Sequence, residues 1–238
     1  MTIKTVGIYI ISWDGFYRQS QHIASKLELQ ADALHVIYSN KDDLDEKGQG
    51  MWHKVPNEWF FGKKFKAALD FFNEDIFLLV HADVSSDNWP SLVGRCKEIF
   101  SFNDIGVWVP DINFNPWSIT KTRISAVDNL PGVHFVAATD AIVVAYSSKV
   151  IDRLRKYNYD KNHFGWGIDW AAVSFAYANN LVVLGDTTIK LRHPQSPGYN
   201  TDVARAQMQE FFQQMTVQER MQRDVLNGFI LSRIAKGS

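Results

Sequence analysis

Ile76-Phe77-Leu78-Leu79-Val80 is a run of five apolar residues that breaks off into His81-Ala82-Asp83. A short continuous apolar run reads as a strand covered on both faces, whereas a strand with one wet face alternates. A sheet covered on both sides by helices is an α/β architecture, so this segment constrains the fold more than any other. Polar side chains just past the C-terminal end of such a strand sit where open α/β sheets bind their ligands. His81 and Asp83 are therefore candidate site residues from their position alone.

The neighbouring segments repeat the pattern. Val6 to Ser12 and Ala33 to Tyr38 are two further buried strands, and Ile105 to Pro110 is a fourth. Between them lie amphipathic helical stretches. Tyr17 to Leu29 carries Ile23, Ala24 and Leu27. Trp59 to Phe72 carries Phe61, Phe65, Ala68, Leu69 and Phe72 on one stripe, flanked by Lys63, Lys64 and Lys66. Ser91 to Phe102 follows Asp87, which is expected to cap it, with Pro90 in the first turn. Strand and helix in alternation predict a Rossmann-like, mainly parallel sheet flanked by helices.

After Pro110 the rhythm breaks. Asp111 to Pro131 reads as an irregular aromatic stretch, and a loop of that length is usually functional or partly structured. Val133 to Tyr146 is β-prone with a bend at Thr139-Asp140. Ser147 to Tyr157 is helical. Leu181 to Leu184 and Thr188 to Leu191 are two short strands. Thr201 to Ile234 is one long or broken helix with an apolar stripe of Met208, Phe211, Phe212, Met215 and Met221, which predicts packing on the domain. Residues 1–200 are expected to form one domain, and residues 201–238 a helical extension packed on it. Lys41 to Gly50, charged and glycine-containing, is expected to be an exposed loop.

Composition narrows the function classes. A formal net charge of −1 over 238 residues gives no polyanion-binding surface, so a nucleic-acid partner is not expected. Cys96 is the single cysteine, which rules out an internal disulfide and reads as a buried apolar residue. No apolar run approaches the ~20 residues of a membrane span. The N-terminus runs straight into a strand without a signal-peptide layout, which leads to the expectation of a cytoplasmic protein. Lys236-Gly237-Ser238 is compatible with a larger parent chain.

Four constellations carry chemistry. His81 and Asp83, two apart on extended backbone, can project to one side and suit a divalent metal. Gly165-Trp166-Gly167-Ile168-Asp169 joins two turn-forming glycines to a carboxylate near a helix start. That carboxylate either stabilises the helix N-terminus or acts as a general base. His193, in Arg192-His193-Pro194, gains value if it meets Asp83 in space. Ser12, Asn40 and Asp42, at the ends of the first two strands, share one rim and suit a nucleoside, and Lys63 suits a phosphate. The eight tryptophans are expected mostly in the core, although sugar-binding clefts also use exposed aromatic faces.

The order of these parts resembles the GT-A-fold glycosyltransferases. Phe77-Leu78-Leu79-Val80-His81-Ala82-Asp83 stands where that family carries its Asp-X-Asp motif, and Phe61-Gly62-Lys63-Lys64 to Phe72 matches the helix before it. Gly165-Trp166-Gly167-Ile168-Asp169 looks like the Gly-Trp-Gly-X-acidic segment of inverting members such as β-1,4-galactosyltransferases. The resemblance implies transfer of a hexosyl or deoxyhexosyl group from a nucleotide-sugar donor to a hydroxyl of a glycan or glycoconjugate acceptor, in polysaccharide biosynthesis. It implies Asp169 as base and Mn²⁺ or Mg²⁺ held by Asp83 and His193, with His81 as a third ligand. The donor would lie near Ser12, Asn40, Asp42, Lys63 and Asp83, and the acceptor near Trp117, Trp166 and Trp170. Two departures stand out: His81 replaces the first aspartate, and the second-strand aspartate has only Asn40 and Asp42 as substitutes by position. A non-catalytic nucleotide-sugar or glycan-binding module and a retaining transferase are the alternatives. A nucleotidyltransferase is disfavoured, because Ser12-Trp13-Asp14-Gly15-Phe16 is not a glycine- and basic-rich loop.

Overall fold

The computed structural model describes residues 4–40, 50–194 and 199–236. Its nine strands form one sheet. In chain order they are β1 (Val6–Ser12), β2 (Ala33–Tyr38), β3 (Met51–Lys54), β4 (Ile76–His81), β5 (Ile105–Ile112), β6 (Arg123–Ala126), β7 (Val133–Val136), β8 (Val143–Ser147) and β9 (Val182–Leu191). The spatial order is β3-β2-β1-β4-β8-β5-β9-β7-β6. β1 pairs in parallel with β2 and β4, β2 with β3, and β5 with β9. β8 is inserted antiparallel between β4 and β5, and β7 antiparallel between β9 and β6. All strands except β7 and β8 thus point the same way, as the mainly parallel reading requires.

Eight α-helices flank the sheet: α1 (Tyr17–Leu27), α2 (Phe61–Phe71), α3 (Trp89–Phe100), α4 (Ile119–Thr122), α5 (Ser148–Leu154), α6 (Ile168–Ala178), α7 (Thr201–Phe212) and α8 (Val217–Lys236). β1 shows why both faces must be covered. Ile8 and Ile10 pack with α1 and α3, while Tyr9 and Ile11 pack with α2 and the later helices. Successive side chains leave a strand on opposite sides, so an unbroken apolar run feeds two cores at once.

Several expected boundaries move. α3 is capped by Asn88, whose Oδ1 accepts from Ser91 N at 3.3 Å, and Asp87 instead pairs with Arg192. The 111–131 stretch contains α4 and the edge strand β6. The two short strands expected at 181–191 are one strand, β9, with a register shift opposite Pro110/Asp111. It runs on through Asp186 because that buried carboxylate is paired with Arg95 at 2.7 Å. The terminal helix breaks between Phe212 and Val217. Thr216 and Glu219 form a capping box there, with Thr216 N donating to Glu219 Oε2 and Glu219 N to Thr216 Oγ1. Arg153 of α5 donates to both Glu219 oxygens at 2.6 and 2.9 Å, which ties the helix pair to the domain. Phe211, Phe212, Met215, Leu226 and Ile230 are buried in the same core as α2, α5 and α6.

Candidate active site

The parallel strands deliver their C-terminal ends to one rim. β4 ends in His81, and the backbone beyond it is pinned on both sides. His81 N donates to Ile142 O at 3.0 Å, and Ala82 N donates to Ile11 O at 2.9 Å. Past β9, Ser85 and Arg192 exchange two backbone hydrogen bonds. This small ladder brings His193 against Asp83, with Nε2 3.3 Å from Asp83 Oδ2. His193 N also donates to Asn113 Oδ1 at 2.7 Å, which anchors it to the end of β5.

His81, Asp83 and His193 form a cluster whose ligand atoms all lie within 4.8 Å of one another. His81 Nε2, Asp83 Oδ1 and His193 Nδ1 are buried without a hydrogen-bond partner, which is costly for polar atoms unless a ligand satisfies them. Burial pushes the His81 imidazole down to about 4, against the opposing charge of Asp83 and with a smaller push from His193, so it is neutral and able to coordinate at neutral pH. Burial opposes ionisation of Asp83, but its hydrogen bond from His193 and the charges of His81 and His193 outweigh it and hold the carboxyl below its usual range. Two imidazoles and one carboxylate fit a divalent cation and leave coordination positions open.

The second half of the site comes from the loop before α6. Asn162 organises that loop: its Oδ1 accepts from Gly165 N and its Nδ2 donates to Trp166 O. Gly167 occupies the helix N-cap with φ of 87°, a left-handed conformation that favours glycine. Asp169 is therefore in the first turn of α6 and is not the cap. Burial, and then the nearby Asp140 carboxylate, push Asp169 up to about 7, although backbone N–H groups of Trp170, Asp169 and Gly167 oppose the rise. Burial likewise raises Asp140 to about 6, against the charge of His193 and N–H donation from Ala141 and Ile142.

Asp140 is the member that the sequence did not reveal. It precedes β8, and β8 runs against its neighbours, so the approach to its N-terminal end lies on the rim where the parallel strands finish. Electrostatically Asp140 is coupled to both His193 and Asp169. Direction is not written into an apolar run, and Thr139-Asp140 read only as a bend.

His81, Asp83, Asp140, Asp169 and His193 line a single cavity of about 900 Å³. Its walls are aromatic. Trp117, Trp166 and Trp170 all face it, with Trp117 and Trp170 edge-to-face at 5.4 Å. Trp166 Nε1 donates to Tyr199 Oη at 2.9 Å, and Tyr199 stacks on Phe164. Trp13 and Phe61 meet the His81 ring at 5.0 and 4.8 Å. The far wall comes from α7 and α8, including Met208, Phe212, Arg223 and Asn227.

Of the residues expected near the nucleoside, Ser12 and Asn40 are not in the lining of this cavity. Ser12 is fully buried, and its hydroxyl accepts from Ser20 Oγ at 2.7 Å. Asn40 is buried at the end of β2. Asp42 lies outside the described residues. Lys63 reaches toward the Trp59 ring, 6.0 Å from its centre. Its neighbour Lys64 bridges the two strand ends, donating to Ser12 O at 2.6 Å and Ser39 Oγ at 2.7 Å. Lys64 has no exposed surface, and burial, only partly countered by Asp14, pulls its ammonium down to about 7. Helical phase could have found it, because Lys64 lies three residues after Phe61 and four before Ala68, on the buried stripe.

No protein-family model matches the sequence, and no curated protein matches it. Solved structures do match. GalNAc-T7 with UDP, GalNAc and Mn²⁺ superposes with a TM-score of 0.60 at 11% identity, over 80% of this chain and 43% of that one. Glucosyl-3-phosphoglycerate synthase from Mycobacterium tuberculosis, in complex with Mn²⁺, UDP-glucose and phosphoglyceric acid, gives 0.59 at 11% identity, over 87% of this chain and 79% of that one. A UDP-glucose pyrophosphorylase complexed with UDP-glucose gives 0.53 at 11% identity, over 88% of this chain and 99% of that one. The chain thus spans less than half the length of GalNAc-T7. At these identities the likeness establishes the fold, which is the GT-A fold.

Proposed function

We propose that this chain is a glycosyltransferase that moves a hexosyl or deoxyhexosyl group from a nucleotide-sugar donor to a hydroxyl of a glycan or glycoconjugate. The observation that carries the proposal is the single cavity in which His81, Asp83 and His193 face Asp169 and Asp140 across aromatic walls. Asp83, His193 and His81 would hold Mn²⁺ or Mg²⁺, which when bound offsets charge on the departing diphosphate. Lys64, with Ser12 and Asn40, sits at the ends of β1 and β2 beside this cluster and supports placing the nucleoside there. Trp117, Trp166 and Trp170 offer faces for the acceptor.

Asp169 would take the proton of the attacking hydroxyl, giving inversion at the anomeric carbon. A carboxyl raised to about 7 is matched to that task, because a general base works best with a pKa near the operating pH. Asp140 would accept hydrogen bonds from hydroxyls of the transferred sugar, since it is coupled to the ligand His193 on one side and to Asp169 on the other.

The test is release of nucleoside diphosphate from a panel of nucleotide sugars with acceptor, compared between the wild type and Asp169→Asn. The variant should lose ~10²–10⁴-fold in kcat while retaining donor affinity. Normal turnover by Asp169→Asn would remove it as base, and a product of retained configuration would replace inversion with retention. The pyrophosphorylase likeness favours one second reading, nucleotidyl transfer. Release of pyrophosphate from a nucleoside triphosphate and a sugar 1-phosphate, with no nucleoside diphosphate released from nucleotide sugars, would select it.

A further inference from the structure

α8 is apolar on two faces. Leu226 and Ile230 are buried against the domain, yet Val217, Met221, Val225, Leu231 and Ile234 are each more than half exposed. These five supply five of the thirteen large exposed apolar side chains among the described residues, which concentrates them on one helix. Val217, Met221 and Val225 are spaced four apart, and Gly228 and Leu231 continue the row at spacings of three. At 1.5 Å per residue the row from Val217 to Leu231 is about 21 Å long. Scattered exposed apolar residues need no explanation, but a row along one helix marks a contact surface.

The surroundings of the row are basic. Arg220, Arg223 and Arg233 lie on α8 itself. Arg233 donates to the carbonyl of Arg123, which joins α8 to the exposed edge strand β6 and brings Lys121, Arg123 and the exposed Ile124 alongside. Among the described residues of α4, β6 and α8, Asp224 is the only exposed carboxylate and is already paired with Arg223, while Glu219 is buried on Arg153, which leaves Lys121, Arg123, Arg220 and Arg233 without a carboxylate partner on these elements. A second copy of the chain would bring like charge against like charge. An anionic bilayer surface supplies both hydrocarbon for the row and negative charge for its flanks.

We propose that the outer face of α8, with β6, docks on an anionic lipid surface, lying in the headgroup region without crossing it. No described helix is long and apolar enough to span a membrane. Arg223, Asp224 and Asn227 of the same helix line the cavity, so docking sets the cavity beside the lipid surface. The docking surface stands independently of the reaction assigned to the cavity.

Co-sedimentation of the whole chain with vesicles tests this, using phosphatidylcholine alone and phosphatidylcholine with one-third phosphatidylglycerol. Binding should require the anionic lipid, weaken at ~0.5 M salt, and fall about tenfold or more in a Met221→Glu/Val225→Glu variant. Both positions are solvent-exposed, so the variant keeps its fold, checked by circular dichroism. Failure to bind the anionic vesicles, or equal binding to both compositions, overturns the proposal. A concentration-dependent dimer in sedimentation velocity that Met221→Glu disperses also overturns it, in favour of a second copy.

Discussion

A fully buried lysine is expensive to keep, and Lys64 makes that cost measurable. Its ammonium falls from an ordinary 10.5 to about 7, a displacement of roughly 3.5 units. The unfolded chain therefore binds more protons than the folded one between those values, and stability rises with pH across that window. At 1.36 kcal/mol per unit the full effect is roughly 5 kcal/mol, present as a penalty below pH ~7 and relieved as pH approaches ~10. Lys64→Met removes the titrating group. It also strips the donor from Ser12 O and Ser39 Oγ, at about 1–3 kcal/mol for each group left unsatisfied. That second cost does not vary with pH. Between about pH 6.5 and about pH 9.5 the wild type should therefore gain about 3 kcal/mol over the variant.

For a chain of this size 3 kcal/mol corresponds to roughly 6–12 °C in Tm. Paired thermal or urea unfolding curves of the two proteins at the two pH values measure it directly. Comparing the difference between proteins cancels every other titrating group. If the two stability–pH curves run parallel, Lys64 is not a buried ammonium and the argument fails. A group poised near 7 should also take up protons when an anion arrives. Nucleoside diphosphate binding to the wild type, followed by calorimetry in buffers of different ionisation enthalpy, should show proton uptake that Lys64→Met lacks.

Three further outcomes are expected. Asp169 must be ionised to act as base, so kcat/KM should rise with pH through about 7, and Asp140→Asn, by removing a neighbouring negative charge, should lower that pKa and move the limb down by about one unit; an unmoved limb would show that the two carboxyls do not interact. Asp83→Ala should abolish the bound-Mn²⁺ signal in electron paramagnetic resonance titrations, while binding that survives the substitution would locate the ion elsewhere. His81→Asp should tighten Mn²⁺ binding and loosen nucleoside diphosphate binding to the Mn²⁺-loaded protein, and a parallel change in both would show that the charge of the cluster does not set its hold on the diphosphate.

Much of this arrangement was legible because buried strands and amphipathic helices leave strong periodic signals. Val6 to Ser12 and Ala33 to Tyr38 match β1 and β2 residue for residue. What escaped was short, reversed or tertiary. β3 was missed because Met51-Trp52-His53-Lys54 is a four-residue edge strand with little apolar pattern. β8 was seen as apolar, but its direction is decided by the strands it pairs with, and with that direction went Asp140. His193 could be nominated from its place after a strand, yet its meeting with Asp83 depends on the Ser85–Arg192 ladder, which joins residues 107 apart in the chain. Lys64 was overshadowed by Lys63 because flanking lysines normally face water, and only the helical phase distinguishes the buried one.

The exchange of a carboxylate for His81 changes what the donor end can do. An Asp-X-Asp pair brings two negative charges, and a divalent cation there is neutralised by its own ligands. With His81 neutral and Asp83 ionised, the cluster brings one negative charge if His193 coordinates as a neutral imidazole. A bound divalent cation then keeps a net charge of about +1 toward the diphosphate. Such an ion would be held less tightly, because one Coulombic partner is missing, but its attraction for the diphosphate would be less cancelled. Burial accentuates both effects, since charges are poorly screened in a cavity walled by Trp13, Phe60 and Phe61. The same cavity holds Asp140 and Asp169 near neutral-pH titration, so under the proposed function a metal-loaded donor end of net positive charge would face an acidic acceptor end. That polarity runs in the direction that charge must move when a sugar leaves a diphosphate and a hydroxyl gives up its proton.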